Sequence, residues 1–220
     1  LPISPHTLSL TTTIMMGNMA QKIHFNNASY LTSATKLGEC PTDIIAEVAF
    51  IGRSNAGKSS AINAITNQKS LAKTSKTPGR TQMINFFALT LEHNLVDLPG
   101  YGYARVMSDT KQSWETMITS YLLNRDALKG LIILMDIRHP FKESDIQTLR
   151  WAESYNIPVH VALTKSDKYK NGPAKNIFFS VQKQLKEISP TSSVSLFSAM
   201  NKTGVEQLQD KIRAWLTQNS

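Results

Sequence analysis

Residues 52 to 60 read "GRSNAGKSS", which matches the phosphate-binding pattern G-x-x-x-x-G-K-[ST]. The two glycines let the backbone curl so that successive N–H groups point at phosphate oxygens, and a following helix adds the positive end of its dipole. In such loops the lysine, Lys58, reaches the β- and γ-phosphates, and the hydroxyl of Ser59 binds Mg²⁺. The pattern therefore predicts a bound nucleoside triphosphate, although it does not identify the base. The predicted contacts are Gly52, Arg53, Ser54, Asn55, Ala56, Gly57, Lys58 and Ser59.

The runs that surround this loop predict the fold class. An apolar run, "IIAEVAFIG" (44–52), comes before the loop, and a helix-like run, "SSAINAIT" (59–66), follows it. Apolar residues recur with helical spacing in 114–125 and again in 205–216. Strands that alternate with helices predict an α/β domain with a six-stranded, mostly parallel sheet covered by helices on both faces. The other five predicted strands are 83–91, 94–98, 130–137, 157–164 and 193–197.

Length and composition favour a single domain over residues 23–220. The chain has 220 residues, of which 41% are apolar, so it can build a sizeable core. We expect residues 1–22 to be a disordered extension, in part upstream or vector sequence, because Met15, Met16 and Met19 could each start the chain. One cysteine, Cys40, cannot form an internal disulfide and fits a reducing cytoplasm. No apolar run approaches the length of a membrane-spanning helix, so we expect no membrane insertion.

The net charge of +8 favours a polyanionic partner, and nucleic acid ranks before a membrane surface. Basic residues cluster in and before residues 75–82 and again after residues 97–100. If they face RNA phosphates, binding depends on salt; the alternative is a solvated basic surface. They are Lys69, Lys73, Lys76 and Arg80, followed by Arg105 and Lys111.

Two further segments predict a metal site and a switch. "DLPG", residues 97–100, follows a predicted strand; Asp97 can hold Mg²⁺ through a water, and the Gly100 amide can donate to a γ-phosphate. "SKTPGRTQ", residues 75–82, has the proline and glycine of a loop, and Thr81 can supply a hydroxyl to Mg²⁺. Segments of this kind become ordered around the γ-phosphate and relax after hydrolysis.

The segments "TKSD" (164–167) and "FSA" (197–199) predict the base. A carboxylate at Asp167 can accept hydrogen bonds from N1–H and the exocyclic amine of guanine, a pairing that adenine does not offer. The Lys165 stem can pack on the base face, and the Ala199 N–H can donate to guanine O6. With all four segments at strand ends and in this order, the predicted ligand is GTP with Mg²⁺.

The chain resembles the EngB (YihA/YsxC) family of bacterial ribosome-biogenesis GTPases, which belongs to the TRAFAC class. The resemblance runs from about residue 23 to the end and includes "TSKTPGRTQ", "DLPGYGYA", "LMDIRHP" and "TKSD". It implies a Ras-like fold, Mg²⁺-dependent GTP binding with slow hydrolysis, action on the large ribosomal subunit precursor (rRNA and ribosomal proteins), and a need in cell division and septation. The implied switch contacts are Gly79, Arg80, Thr81, Gln82, Met83, Asp97, Leu98, Pro99 and Gly100. The implied base contacts are Thr164, Lys165, Ser166, Asp167, Phe197, Ser198 and Ala199.

One position departs from other GTPases at the base motif. Position 164 is a threonine where GTPases usually have asparagine, and we expect this to give modest base affinity and easy exchange.

A second departure predicts slow hydrolysis. Ras-type enzymes orient the attacking water with a glutamine directly after the DxxG glycine, and this chain has Tyr101 there. The predicted catalytic groups are Lys58, Thr81, Gly100 and Asn55. Asn55 either helps to bind a K⁺ beside the phosphates or only caps the loop, and the sequence leaves both open. The ribosomal particle is the second source of help. Arg80 and Arg105 could act in cis, but we interpret each as an RNA or surface contact.

Three functions compete on these observations. The first is a monomeric cytoplasmic GTP switch in ribosome assembly. The second is a septation or scaffold factor in which nucleotide binding is mainly structural. The third, an ATP-dependent P-loop kinase, is disfavoured by Asp167.

Overall fold

The chain folds into a seven-stranded sheet with helices on both faces. The computed structural model describes residues 23–73, 83–101 and 108–218, with side chains from 116 onward in the last range. The predictions for residues 1–22, for the loop 75–82 and for Arg105 and Lys111 lie outside these limits. The strands are β1 (Ser29–Ala34), β2 (Ala46–Gly52), β3 (Ile84–Ala88), β4 (His93–Asp97), β5 (Leu128–Asp136), β6 (Val159–Thr164) and β7 (Ser193–Leu196).

The five described α-helices lie between and after these strands. They are α1 (Lys58–Ile65), α2 (Ser108–Asn124), α3 (Glu143–Ser154), α4 (Asn171–Ile188) and α5 (Val205–Leu216). Short 3₁₀ turns cover Phe25–Asn27, Leu37–Glu39 and Ser166–Lys168. None of the helices in the described ranges has the length and apolar character that crossing a membrane requires.

The sheet order is β1-β3-β4-β2-β5-β6-β7. Strands β4, β2, β5, β6 and β7 are parallel neighbours, whereas β3 pairs antiparallel with both β1 and β4. The predicted α/β class and the mostly parallel sheet are confirmed, but the predicted count of six strands was one too low. The missed strand, β1, is a mostly exposed edge strand, so it lacks the apolar run that identified the other six.

Two apolar layers cover the sheet. On one face α1 and α5 pack on the strands, and on the other α2, α3 and α4 do so. The predicted apolar side chains Ile118 and Tyr121 of α2, and Ile212 and Trp215 of α5, are buried. Gly130 leaves room for the Trp215 ring, because a Cβ at residue 130 would lie 2.3 Å from that ring. This packing leaves the loops at the carboxyl ends of the parallel strands free to form a site.

Candidate functional site

The phosphate-binding loop joins the end of β2 to the start of α1. It contains two left-handed residues, Asn55 (φ 64°) and Gly57 (φ 96°), directly before Lys58 opens the helix. A side chain at Gly52 would place its Cβ 2.7 Å from the Leu134 carbonyl oxygen of the neighbouring strand β5. The two glycines of the motif thus have separate causes: close packing at Gly52 and backbone conformation at Gly57.

The "DLPG" segment lies directly against this loop. Tyr101 N–H donates to the Gly52 carbonyl (3.2 Å), and Ser54 N–H donates to the Tyr101 carbonyl (3.1 Å). A Cβ at Gly100 would lie 3.0 Å from the Gly52 oxygen. Leu98 is buried and Pro99 is half-buried beside it. The structure therefore brings the predicted phosphate loop and the predicted switch segment together through the backbone.

Lys58 and Asp97 form an ion pair, with 2.8 Å between Lys58 Nζ and Asp97 Oδ1. Besides this ion pair, no group in the described residues donates a hydrogen bond to the buried Asp97 Oδ1. The Ser59 hydroxyl, one residue along, donates to the Lys73 carbonyl (3.3 Å). The Asp97 carboxylate at the end of β4 and the Ser59 hydroxyl at the start of α1 are oxygen groups of the kind that Mg²⁺ prefers, and the Lys58 ammonium fits the charge of a phosphate.

The "TKSD" loop also contacts the phosphate-binding loop. The buried Thr164 hydroxyl donates to the Ala56 carbonyl (2.6 Å) and lies 3.2 Å from the Met135 carbonyl oxygen. Lys165 has left-handed backbone (φ 59°), and its ammonium donates to the Asn55 carbonyl (2.8 Å). Thr164 is shorter than asparagine, yet it still ties the two loops together.

Asp167 is held by the "FSA" segment. The buried Ser198 hydroxyl donates to Asp167 Oδ1 (2.6 Å), and this bond holds the pKa of Asp167 below its usual value. The backbone joins the same loops, since Ser166 N–H donates to the Phe197 carbonyl (3.1 Å). Phe197 itself is a core residue, and Ala199 is half-buried beside it. The Ser198 bond thus orients the Asp167 carboxylate and favours its charged form.

The Tyr101 side chain is directed away from the loops into the core. Its hydroxyl donates to Asp145 Oδ1 of α3 (2.8 Å), and Lys142 N–H donates to the other carboxylate oxygen (3.0 Å). Burial, together with the Asp145 carboxylate, raises the pKa of Tyr101 well above its usual value. Tyr101 therefore has neither the position nor the charge to activate a water at the phosphate loop.

Two residues of the site were missed in the sequence analysis, although both stand in the quoted stretch "LMDIRHP". Asp136 ends β5, and Arg138 donates to it through its main-chain and side-chain nitrogens. Lys165 pairs with the same carboxylate (2.9 Å). Beside them a cavity of about 140 Å³ lies along the phosphate loop. Only the three-dimensional pairing of β5 with β6 makes Asp136 a neighbour of the "TKSD" loop.

The remaining predicted residues have simple placements. Met83 lies half-buried directly before β3. Lys69 and Lys73 are exposed on the segment that follows α1. The predictions for Gly79, Arg80, Thr81 and Gln82 fall outside the described residues.

Comparison with known proteins identifies the family. The 50S ribosome-binding GTPase family matches residues 47–165. A Coxiella burnetii protein named "Probable GTP-binding protein EngB" is 51% identical over 191 residues, which cover 87% of this chain and 93% of that protein. The chain belongs to the EngB family. A relative of the same name from Vibrio parahaemolyticus is 50% identical over 197 residues, covering 90% of each chain.

Solved structures of GTP-binding proteins share the fold. A crystal structure of a probable GTP-binding protein EngB superposes with a TM-score of 0.61 at 21% identity, over 78% of this chain and 98% of that one. Era, crystallised with MgGDPNP and a segment of 16S ribosomal RNA, superposes with a TM-score of 0.58 at 20% identity, over 81% of this chain and 59% of Era. This member of the EngB family therefore has the Ras-like fold and is a GTP-binding GTPase.

Proposed function

We propose that this EngB protein is a Mg²⁺-dependent GTP switch with slow intrinsic hydrolysis that acts, as a cytoplasmic monomer, in assembly of the large ribosomal subunit. The observation that carries the proposal is the contact of two groups with the phosphate loop at the carboxyl ends of the strands: the Lys58–Asp97 ion pair, and the loop Thr164–Asp167 through Thr164 and Lys165. The family description, a 50S ribosome-binding GTPase, supports the choice of partner.

In the proposed site a bound triphosphate would replace Asp97 as the partner of the Lys58 ammonium, which would then contact the β- and γ-phosphates. Ser59 and Thr81 would hold Mg²⁺, and Asp97 would hold it through a water. Bound Mg²⁺ supplies positive charge that stabilises the charge of the phosphates. The Gly100 amide, next to Tyr101 whose N–H donates to the Gly52 carbonyl, would donate to the γ-phosphate and respond to its loss.

Asp167 selects guanine in this proposal, and its exchange for asparagine tests the base assignment. An asparagine amide donates where the carboxylate accepts, so Asp167→Asn should lose affinity for GTP and gain it for xanthosine triphosphate. A ligand that leaves a polar group of the site unpaired is rejected by about 10⁴–10⁵-fold, so the change in nucleotide preference should be large. Competition measured by calorimetry gives the preference, with the exposed Asp43→Asn as control. Equal competition by ATP and GTP in the native protein would remove the assignment.

Hydrolysis is proposed to need help, because Tyr101 is bonded to Asp145 and is not available to orient water. Asn55 is exposed at the tip of the phosphate loop, and a K⁺ bound beside it would stabilise the transition-state charge. The alternative is that Asn55 only shapes the loop. Turnover in K⁺ against Na⁺ separates the two, since equal rates leave Asn55 with the structural role.

The ribosomal role is tested by sedimentation with large-subunit precursors. We expect binding with GTP, weaker binding with GDP, and a steep loss with added KCl because lysines and arginines displace counterions from rRNA. The alternative, a septation or scaffold factor with a structural nucleotide, predicts binding that does not depend on which nucleotide is present. The proposed need in cell division is tested by depletion: filaments that appear before ribosome precursors accumulate would favour the scaffold.

A further inference from the structure

Asp136 is the centre of a charge cluster that the phosphate-binding assignments leave unexplained. Its Oδ1 accepts from the Arg138 main-chain N–H (3.0 Å) and from Arg138 Nε (2.9 Å), and its Oδ2 accepts from Arg138 Nη2 (2.6 Å). The guanidinium thus grips the carboxylate through two parallel bonds, the strongest geometry for such a pair. This grip fixes the orientation of the carboxylate at the end of β5.

The second cation on this carboxylate is Lys165. Its Nζ lies 2.9 Å from Asp136 Oδ2 and donates to the Asn55 carbonyl at 2.8 Å. The Lys165 ammonium therefore joins three segments: the end of β5, the phosphate loop and the "TKSD" loop.

The backbone of Lys165 needs this support. Its φ of 59° lies in the left-handed region that residues other than glycine rarely adopt. Although burial opposes it, hydrogen bonds from Arg138 and Lys165 hold the pKa of Asp136 well below its usual range. The hydrogen bonds that orient the Asp136 carboxylate therefore also favour its charged form, which is the form that pairs with Lys165.

We propose that Asp136 and Arg138 are positioning residues that hold Lys165, and with it the loop Thr164–Asp167, against the phosphate loop so that bound guanine nucleotide is retained. Neither side chain needs to touch the nucleotide. The pair sets how slowly GDP leaves and how well Asp167 is aligned with the base. This inference rests on the proposed assignment of Thr164–Asp167 to the guanine base.

The test compares Asp136→Asn, Arg138→Ala and Arg138→Lys with the native protein. Asparagine keeps the shape of Asp136 but removes its charge, so GDP dissociation, followed with a fluorescent GDP, should speed up by about 10–100-fold, as expected for a lost charge-assisted bond. KM for GTP should rise with little change in kcat. GDP should dissociate more slowly from Arg138→Lys than from Arg138→Ala, since lysine keeps the charge but not the two parallel hydrogen bonds. Arg150→Ala, on the exposed part of α3, is the control.

A second readout reports base alignment. Inosine triphosphate lacks the exocyclic amine that pairs with Asp167, so the preference for GTP over it should shrink in Asp136→Asn and in Arg138→Ala. A general loss of folding would lower the active fraction and not this ratio. Arg138 is exposed, so its variants keep the test available if Asp136→Asn does not fold.

The outcomes separate this inference from the proposed function. Native GDP release together with a native base preference in the Asp136 or Arg138 variants overturns the positioning role. A fall in kcat with KM unchanged overturns it also. If Asp167→Asn fails to shift preference toward xanthosine triphosphate, the base assignment is wrong. If Asp167→Asn shifts preference and the Asp136 and Arg138 variants behave as native, only the positioning pair is wrong.

Discussion

The two ends of the parallel strands both hold polar side chains, but with different partners. At the carboxyl end, Lys58 and Asp97 neutralise each other next to loops with left-handed backbone. At the amino end, the second residue of β2, of β4 and of β6 is polar and buried: Glu47, Asn94 and His160. The carboxyl end faces loops that a ligand can reach, whereas the amino end is closed by helices and neighbouring strands.

The amino end differs most clearly at Glu47. Its Oε1 accepts from the Tyr121 hydroxyl (2.5 Å) and from Arg125 Nε (2.8 Å), and its Oε2 accepts from Arg125 Nη2 (2.9 Å). Both partners belong to α2 or to the residue that follows it. This network ties the end of α2 to β2 and uses both carboxylate oxygens of Glu47 within the protein.

The role of an ion pair follows from what can replace its partner. In the proposed site Lys58 would exchange the Asp97 carboxylate for phosphates, so this pairing would end when nucleotide binds. No such replacement can reach Glu47, which is fully buried. Variants at the amino end should therefore change stability, and variants at the carboxyl end should change nucleotide binding.

The largest effect is expected from Arg125→Ala. It leaves the Glu47 carboxylate buried with only the Tyr121 hydroxyl as partner, and removing one member of a buried pair costs about 3–5 kcal/mol of unfolding free energy. Urea unfolding measures the loss. GTP affinity of the folded fraction should stay native, which distinguishes this end of the sheet from the other. A loss below about 1 kcal/mol, the usual value of a surface pair, would show that the network does not hold α2.

The next effect is a dependence of stability on pH from His160. The two ring nitrogens of His160 form hydrogen bonds with the Ser193 hydroxyl (2.8 Å) and the Ser195 hydroxyl (2.9 Å). Burial lowers the pKa of His160 from 6.5 to about 4. The folded state favours the neutral ring, so this stability is complete above pH 6.5 and is lost as the pH falls toward 4. The expected loss is about 3 kcal/mol.

His160→Gln provides the control for that pH dependence. Glutamine can bond both serines without titrating, so the unfolding free energy of the variant should vary less between these two pH values than that of the native protein. The variant is expected to be less stable at neutral pH, because its packing is changed. An equal slope in both proteins would assign the acid sensitivity to other groups.

A smaller effect, now on binding, is expected at the carboxyl end from Lys58→Met. Losing charge-assisted bonds to the phosphates should weaken GTP and GDP binding by about 100-fold, measured by calorimetry. Unfolding free energy without nucleotide should fall less than in Arg125→Ala, because Asp97 lies nearer to solvent. A loss of stability as large as that of Arg125→Ala, with native nucleotide binding, would mean that the Lys58–Asp97 pair is structural, like the Glu47 network.

The arrangement of the loops at the carboxyl ends of the strands could be predicted from the sequence, because each of their motifs is local. "GRSNAGKSS", "DLPG" and "TKSD" each place their residues within a few positions of a strand end, and parallel strands then bring the ends together. Asp136 and Arg138 are also local, but their role depends on the neighbouring β6 and on the backbone of Lys165. The direction of Tyr101 depends on Asp145, 44 residues away.

The amino end could not be predicted in this way. The partners of Glu47 lie 74 and 78 residues further along the chain, and no spacing rule joins them. Asn94 and His160 stand in runs that predict strands but do not show that these two polar side chains are buried. Burial of a polar residue inside such a run becomes visible only when the neighbouring strands and helices are in place.

The smallest effect is expected at Asn94, whose amide is fully buried while neither its Oδ1 nor its Nδ2 has a hydrogen-bond partner among the described residues. An unpaired buried amide costs free energy, so Asn94→Val should stabilise the protein by about 1 kcal/mol, and valine also suits a strand. Urea unfolding gives the change, with GTP affinity expected to stay native. Asn85→Val is the matched control, because Asn85 Oδ1 accepts from the Ser33 hydroxyl (2.7 Å) and its replacement should not stabilise. Destabilisation by Asn94→Val would mean that the Asn94 amide has a hydrogen-bond partner. The buried polar side chain of β4 would then be hydrogen-bonded, as Glu47 of β2 is.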